Sequence, residues 1–179
     1  IRRCLVGSEM CIRDRQLTQG EWDVVDVLGF DAKRKRVYFT SSKEGATQKH
    51  TSYVDMRGRV TTLDATPGTH SDDFSNSFDY SIHQHSTANT PPVFTLRDRG
   101  GKVIRTLKDN ATLRETMAEH GAVDKEFFTF TNDAGVELNC WKMRPQDFDP
   151  AKKYPVYVAI YGGPGANTCL LYTSDAADE

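Results

Sequence analysis

Short alternating runs of apolar and polar residues, broken by charged or glycine-bearing turns, fill the chain from Gln16 to Leu107. Leu17 to Trp22 leads into the first run, Val24, Val25, Val27 and Leu28, and Gly29 to Lys35 makes a charged turn before Val37-Tyr38-Phe39-Thr40-Ser41-Ser42. After a loop through Glu44-Gly45-Ala46 come Ser52 to Met56, the turn Arg57-Gly58-Arg59, and Val60 to Leu63. Runs this short, rich in β-branched and aromatic residues and bounded by turn formers, predict four strands joined as hairpins.

The scheme then returns. Thr69-His70-Ser71 opens the second set, Phe74 answers Phe30, and Tyr80 to Ser86 answers Val37 to Ser42. Pro92 to Leu96 answers Ser52 to Met56, and Arg99-Gly100-Gly101-Lys102-Val103 answers Arg57-Gly58-Arg59-Val60. Equivalent positions lie about 40 to 44 residues apart, the period of a four-stranded propeller blade. A plain antiparallel meander with a chance echo is the alternative. Two blades alone leave a large apolar face open, since at least about three repeats are normally needed to bury a continuous core. The chain is therefore expected to be cut from a longer one.

Beyond Leu107 the period changes. Leu113 and Met117 stand at i, i+4 within Asn110 to His120, with Asn110 or Thr112 available to cap the start and Gly121 the end, so a short helix is expected. Glu126 to Thr131, the turn Asn132-Asp133-Ala134-Gly135, and Val136 to Met143 predict a hairpin, followed by a polar connector from Arg144 to Pro150. The domain boundary falls between Asn110 and Asp124. This gives blades and a linking helix over 16–120 and the start of a second domain over 121–168.

That second domain is led by Lys152-Lys-Tyr-Pro-Val-Tyr-Val-Ala-Ile-Tyr-Gly-Gly-Pro-Gly165. Val156 to Ile160 is apolar or aromatic throughout, which predicts a strand buried on both faces in a largely parallel sheet. Gly162 to Gly165 stops it with a tight loop at the strand's C-terminal edge, where open α/β sheets bind ligands. Tyr161 is the last side chain before that loop, and its phenol could hold a hydroxyl donor over a reaction centre.

Composition narrows the class. With 179 residues, 37% hydrophobic and 27% charged, and a net charge of -2, the chain reads as one or two globular domains. The near-neutral charge gives no footprint for nucleic acid or an anionic membrane. Ile1 to Met10 has no apolar segment of signal-peptide length. Cys4, Cys11 and Cys169 lie in terminal stretches, 1–15 and 169–179, that lack a clear period and resemble translated sequencing-adapter read-through. Both stretches are expected to be non-native, which removes a disulfide or metal reading and leaves Cys140 as a small buried apolar residue.

No metal or cofactor motif is expected. His83 and His85, two apart on a strand, share a face and could hold a metal, but no third ligand stands at a convincing spacing, so they are read as polar blade surface. His50, His70 and His120 are placed in loops or at a helix end. Lys33 to Arg36 is read as a solvated hairpin tip rather than a polyanion site.

Glu126-Phe-Phe-Thr-Phe-Thr, Gly135-Val-Glu-Leu-Asn, Pro145 to Phe148, and Asp149-Pro-Ala-Lys-Lys-Tyr-Pro-Val into Tyr161-Gly-Gly-Pro-Gly closely resemble the prolyl oligopeptidase family of serine peptidases. Within it the pattern is most similar to dipeptidyl peptidase IV and its bacterial relatives. The resemblance implies a β-propeller, here its last blades, followed by the opening strands of an α/β-hydrolase domain. It implies a serine, histidine and aspartate triad acting on peptide bonds, with Tyr161 as an oxyanion-hole donor beside the N–H after the serine. No Gly-x-Ser-x-Gly elbow occurs in the chain, and in the family the triad lies further downstream. The paired glutamates that hold a substrate's amino terminus lie upstream. Glu21, Glu44 and Glu115 do not match them, nor does any histidine match the catalytic one.

The expected function is thus that of a piece of a peptidase releasing N-terminal dipeptides, inert by itself. Another member of the family, such as an endopeptidase, tripeptidyl peptidase or acylaminoacyl peptidase, and a non-catalytic propeller binding module are the alternatives. The resemblance further implies peptide substrates, no cofactor, a possible homodimer, and a periplasmic, cell-surface or secreted location.

Overall fold

The computed structural model describes residues 15–160. Tyr161 and the Gly162 to Gly165 loop lie outside the described residues, as do Cys4, Cys11 and Cys169.

Two four-stranded antiparallel sheets follow one another along the chain. The first contains β1 (Val24–Asp31), β2 (Arg36–Ser41), β3 (His50–Asp55) and β4 (Val60–Thr62). The second contains β5 (Thr69–Phe74), β6 (Tyr80–Thr87), β7 (Thr90–Asp98) and β8 (Val103–Lys108). In each, spatial order equals chain order, the simple meander of a propeller blade. Both sets of strands fall where the alternation of the sequence puts them.

One turn chemistry recurs. Asp55 and Asp98 stand at the head of the third-to-fourth-strand turn in their respective sheets. Each carboxylate accepts two backbone N–H bonds, from Arg57 and Arg59 and from Gly100 and Lys102, at 2.9–3.0 Å. Asn132 does the same for Ala134 and Val136 in the later hairpin. An Asx side chain that mimics a backbone turn fixes the loop, and a glycine three residues on supplies the positive φ that closes it. Gly58, Gly101 and Gly135 take φ of 85°, 84° and 79°. A Cβ at Gly101 would also stand 3.2 Å from the Leu63 carbonyl oxygen, whereas one at Gly135 would meet nothing within 4 Å. Gly101→Ala should therefore cost about 1–2 kcal/mol of stability and Gly135→Ala less. Denaturant midpoints of the two variants at unchanged slope would check the order.

The sheets pack through one face of β5. Its side chains alternate, so His70, Asp72 and Phe74 turn inward while Ser71 and Asp73 face water. At the Phe74 end the packing is aromatic. Tyr38, only 1% exposed, sits 4.6 Å from the Phe74 ring and 5.1 Å from Phe78. At this end Arg34 crosses between sheets, pairing with Asp31 at 2.7 Å and with Asp79. The expected hairpin tip at Lys33 to Arg36 is thus only partly solvated, since Arg36 also lies 4.2 Å above the Tyr53 ring. At the other end Lys49 and Thr69 form a parallel bridge, with His70 N–H donating to the Lys49 carbonyl at 2.7 Å.

Helix α1 (Ala111–Glu119) follows β8. Asn110 occupies its N-cap position without capping: it is left-handed (φ 53°), and its side-chain amide donates to the Pro92 carbonyl instead. Gly121 ends the helix as expected, with Gly121 N–H bonded to Ala118 and Ala122 N–H to Met117, the paired bonds of a Schellman motif. Strands β9 (Glu126–Thr131) and β10 (Glu137–Lys142) then form a separate two-stranded sheet. Asn89 ties the entry of that hairpin to the second blade through two bonds with the Lys125 backbone, 2.9 and 3.1 Å. Cys140 is half-buried on β10, opposite Phe128, rather than buried: a two-stranded ribbon has no second layer to cover it.

The strand expected at Val156 to Ile160 does not form among the described residues. Val156, Tyr157, Val158 and Ile160 are each at least 74% exposed and carry no strand pairing. A run that is apolar on both faces needs a neighbour on each side and a layer above and below, and no described segment supplies them.

Candidate functional site

The open groove of about 720 Å³ between β8 and α1, lined by residues such as Leu107, Asp109 and Leu113, contains no histidine or cysteine. The side chains that converge with chemistry lie at the polar end of the blade interface. Here β5 contributes His70 and Asp72, β6 contributes Ser81, His83 and His85, β3 contributes His50, and the β4–β5 loop contributes Asp64. Antiparallel register sets the order, pairing Asp72 with His83 and His70 with His85.

His50 and His70 are fully buried and His83 is 1% exposed, which corrects their placement in loops and on a polar blade surface. His70 stacks on His50 at 4.6 Å and lies 4.6 Å from the tilted His85 ring. Strand spacing predicted that His83 and His85 share a face. It could not predict that His70, thirteen residues earlier than His83, would contact both rings, because that depends on register with a neighbouring strand. His120 stays exposed at the helix end.

Hydrogen bonds orient each ring. Asp72 accepts from the Ser81 hydroxyl at 2.9 Å and from His83 Nδ1–H at 3.0 Å. Burial pushes the Asp72 carboxyl up, but these donors outweigh it and hold the group below its ordinary value. An ionised carboxylate only accepts, so the His83 proton sits on Nδ1. His70 Nε2–H donates to the Thr66 carbonyl at 2.7 Å, His50 Nδ1–H to the Asp64 carbonyl at 2.8 Å, and His85 Nε2–H to the Pro67 carbonyl at 3.1 Å. Burial, with the neighbouring His50 and His85, pushes His70 down to about 4. It is therefore a neutral imidazole at pH 7, with the proton on Nε2.

Asp64 faces this group from the loop. Burial raises its pKa, but Thr66, donating its N–H at 2.9 Å, and Arg97, paired at 2.8 Å, hold it far below the ordinary range. One oxygen of Asp64 and one nitrogen each of His70 and His83 lie within 4.8 Å of one another. The third group missing from the sequence reading is thus Asp64, supplied by a connecting loop. Gly68 makes the close approach possible. A Cβ there would fall 2.6 Å from the Ser86 carbonyl and 2.7 Å from His85 Nε2.

Tyr161, the one catalytic residue expected from the sequence, lies outside the described residues. Glu21, Glu44 and Glu115 do not meet: Glu44 bonds Lys43 and Thr62 at 2.9–3.0 Å within the first blade, Glu21 precedes β1, and Glu115 lies on α1.

Comparison with known proteins places this arrangement. Residues 5–92 match the family model for the dipeptidyl peptidase IV N-terminal region. Dipeptidyl peptidase 4 of Trichophyton rubrum is 35% identical over 155 residues, covering 84% of this chain and 20% of the relative. The crystal structure of Porphyromonas gingivalis dipeptidyl peptidase 4 superposes with a TM-score of 0.81 at 36% identity, covering 88% of this chain and 22% of that one. The chain is thus similar, over most of its length, to a segment of dipeptidyl peptidase IV-type proteins. A dipeptidyl-aminopeptidase B of Emericella nidulans is also 35% identical, over 158 residues. The chain spans about a fifth of the length of the curated relatives it matches. In this dipeptidyl peptidase IV-like setting, the two meander sheets are part of a β-propeller.

Proposed function

We propose that the full-length protein is a serine peptidase of the dipeptidyl peptidase IV type, and that this segment carries its last propeller blades into an α/β-hydrolase domain beginning near residue 121. The observation that carries the reading is the reach of the structural likeness. The blades end at Lys108, so a match covering 88% of the chain must include α1 and the β9–β10 hairpin as well. The same order of elements in a dipeptidyl peptidase 4 supports reading the hairpin and the Val156 to Ile160 run as the entry to a catalytic domain, whose further strands would cover that run.

In this reading the propeller restricts access to the active site and peptides are the substrates. Tyr161 donates its hydroxyl to the oxyanion formed when the downstream serine attacks the scissile carbonyl. No step of the chemistry is completed by this segment, which holds neither the serine elbow nor the paired glutamates. A homodimer and export to the periplasm or cell surface belong to the same proposal and rest on resemblance alone.

The test is turnover by the full-length protein of a Gly-Pro anilide, with labelling by a serine-directed fluorophosphonate. Release of the anilide, abolished in step with labelling, is expected. Absence of both overturns the peptidase reading and favours a propeller acting as a binding module. Labelling with turnover only of blocked or longer peptides favours another branch of the prolyl oligopeptidase family.

A further inference from the structure

His70 and His83 face each other through one ring nitrogen each. His70 has committed its Nε2–H to Thr66, and His83 its Nδ1–H to Asp72. The ring nitrogens left over, His70 Nδ1 and His83 Nε2, face each other 3.3 Å apart, and with a metal ion between them both would act as acceptors. Two imidazole nitrogens on a tetrahedral zinc, each about 2.0–2.1 Å from the ion, stand about 3.3 Å apart.

The surroundings fit the same occupant. Asp64 closes a third side, one of its oxygens lying within 4.8 Å of a ring nitrogen of each histidine. Its oxygens are engaged by Arg97 and Thr66, but each carboxylate oxygen has a second lone pair. Asp72 holds His83 as a carboxylate holds the outer nitrogen of a zinc-bound histidine, and the Thr66 carbonyl holds His70 likewise. Two nitrogens and one carboxylate suit zinc and its neighbours in the transition series better than calcium or magnesium, which prefer oxygen alone.

The geometry points to a divalent transition-metal site of the zinc class at the blade interface, with His70 and His83 as nitrogen ligands, Asp64 as the third ligand, and Asp72 as a positioning residue for His83. The ligands come from β5, β6 and the β4–β5 loop, so a bound ion ties that loop to the second blade where the two sheets meet. This site stands apart from the peptidase reading and does not depend on it.

The test uses the full-length protein, purified without a histidine tag, stripped with chelator and titrated with Zn²⁺. One ion per chain and a rise in Tm are expected. X-ray absorption at the zinc edge of the wild-type protein should show two imidazole ligands, a readout that needs no variant to fold. His83→Asn should weaken binding by at least about 100-fold, and Asp72→Asn by about 10–100-fold. Co²⁺ loading should give the visible bands of a tetrahedral ion in the wild type and lose them in His83→Asn. Zinc affinity unchanged in both variants, no zinc-dependent Tm shift, or a zinc-edge spectrum without paired imidazoles overturns the site. So does a ¹⁵N spectrum of chelated protein at pH 7 showing one proton shared by His70 and His83.

Discussion

Tyr161→Phe in the full-length protein is expected to lower kcat by about 100- to 1,000-fold while changing KM little. The argument turns on where negative charge grows. Attack on a peptide carbonyl converts a neutral oxygen into an oxyanion, and a donor aimed at that position stabilises the transition state more than the bound substrate. The loss of one such donor costs about 3 kcal/mol of barrier. Phenylalanine keeps the ring and removes only the hydroxyl, so a residue that merely packed beneath the Gly162 to Gly165 loop would leave kcat nearly unchanged. The split between kcat and KM is therefore the measurement that checks it, with fluorophosphonate labelling as a control for a folded active site. Equal kcat for the two proteins would remove Tyr161 from the oxyanion hole.

How much of this was legible in the sequence depended on whether the cause was local. Strand positions and turns were readable because alternation sets the face and an Asx residue with a following glycine closes the turn, as at Asp55, Asp98 and Asn132. The end of α1 was readable for the same reason. Its beginning was not, because the Asn110 amide is drawn away by the Pro92 carbonyl on β7, a tertiary contact. Val156 to Ile160 misled in the opposite sense: its composition anticipates neighbours that the described residues do not include.

The histidine cluster was the least legible part. The usual filling of a blade interface is aromatic and aliphatic, and Tyr38, Phe74 and Phe78 follow that rule. Four residues from Phe74 along the same face of β5, the filling becomes His70. Nothing in the local pattern distinguishes an inward His70 from an outward one until Asp72 is seen to have a buried partner in His83. The alternation of β5 was visible, but the sign of its faces was not.

Acidification in the presence of chelator is expected to weaken the blade interface between about pH 6.5 and 4. His70 titrates near 6.5 when exposed in the unfolded chain and is pushed down to about 4 in the fold. Between those values the unfolded chain binds a proton that the folded chain refuses, so stability rises with pH across the window and falls as pH is lowered. Burial sets that sign, and His50, stacked on the ring, and His85 beside it add to it by opposing a positive charge on His70. The Thr66 carbonyl and Asp64 favour the charged form without offsetting burial, the Asp64 carboxylate being already paired with Arg97. Full development of the difference amounts to about 3 kcal/mol, at about 1.4 kcal/mol per pH unit, for a ring with no exposed surface. Asp64 and Asp72 extend the loss below the ordinary carboxylate range, since both are held below their unfolded values and their stabilisation disappears only as pH falls through the folded ones. Chemical denaturation at fixed intervals from pH 7 to pH 4 would measure the slope. His70→Gln, which keeps polar atoms but cannot titrate, should flatten the upper part of the curve, and a slope unchanged by that substitution would assign the acid sensitivity to another group.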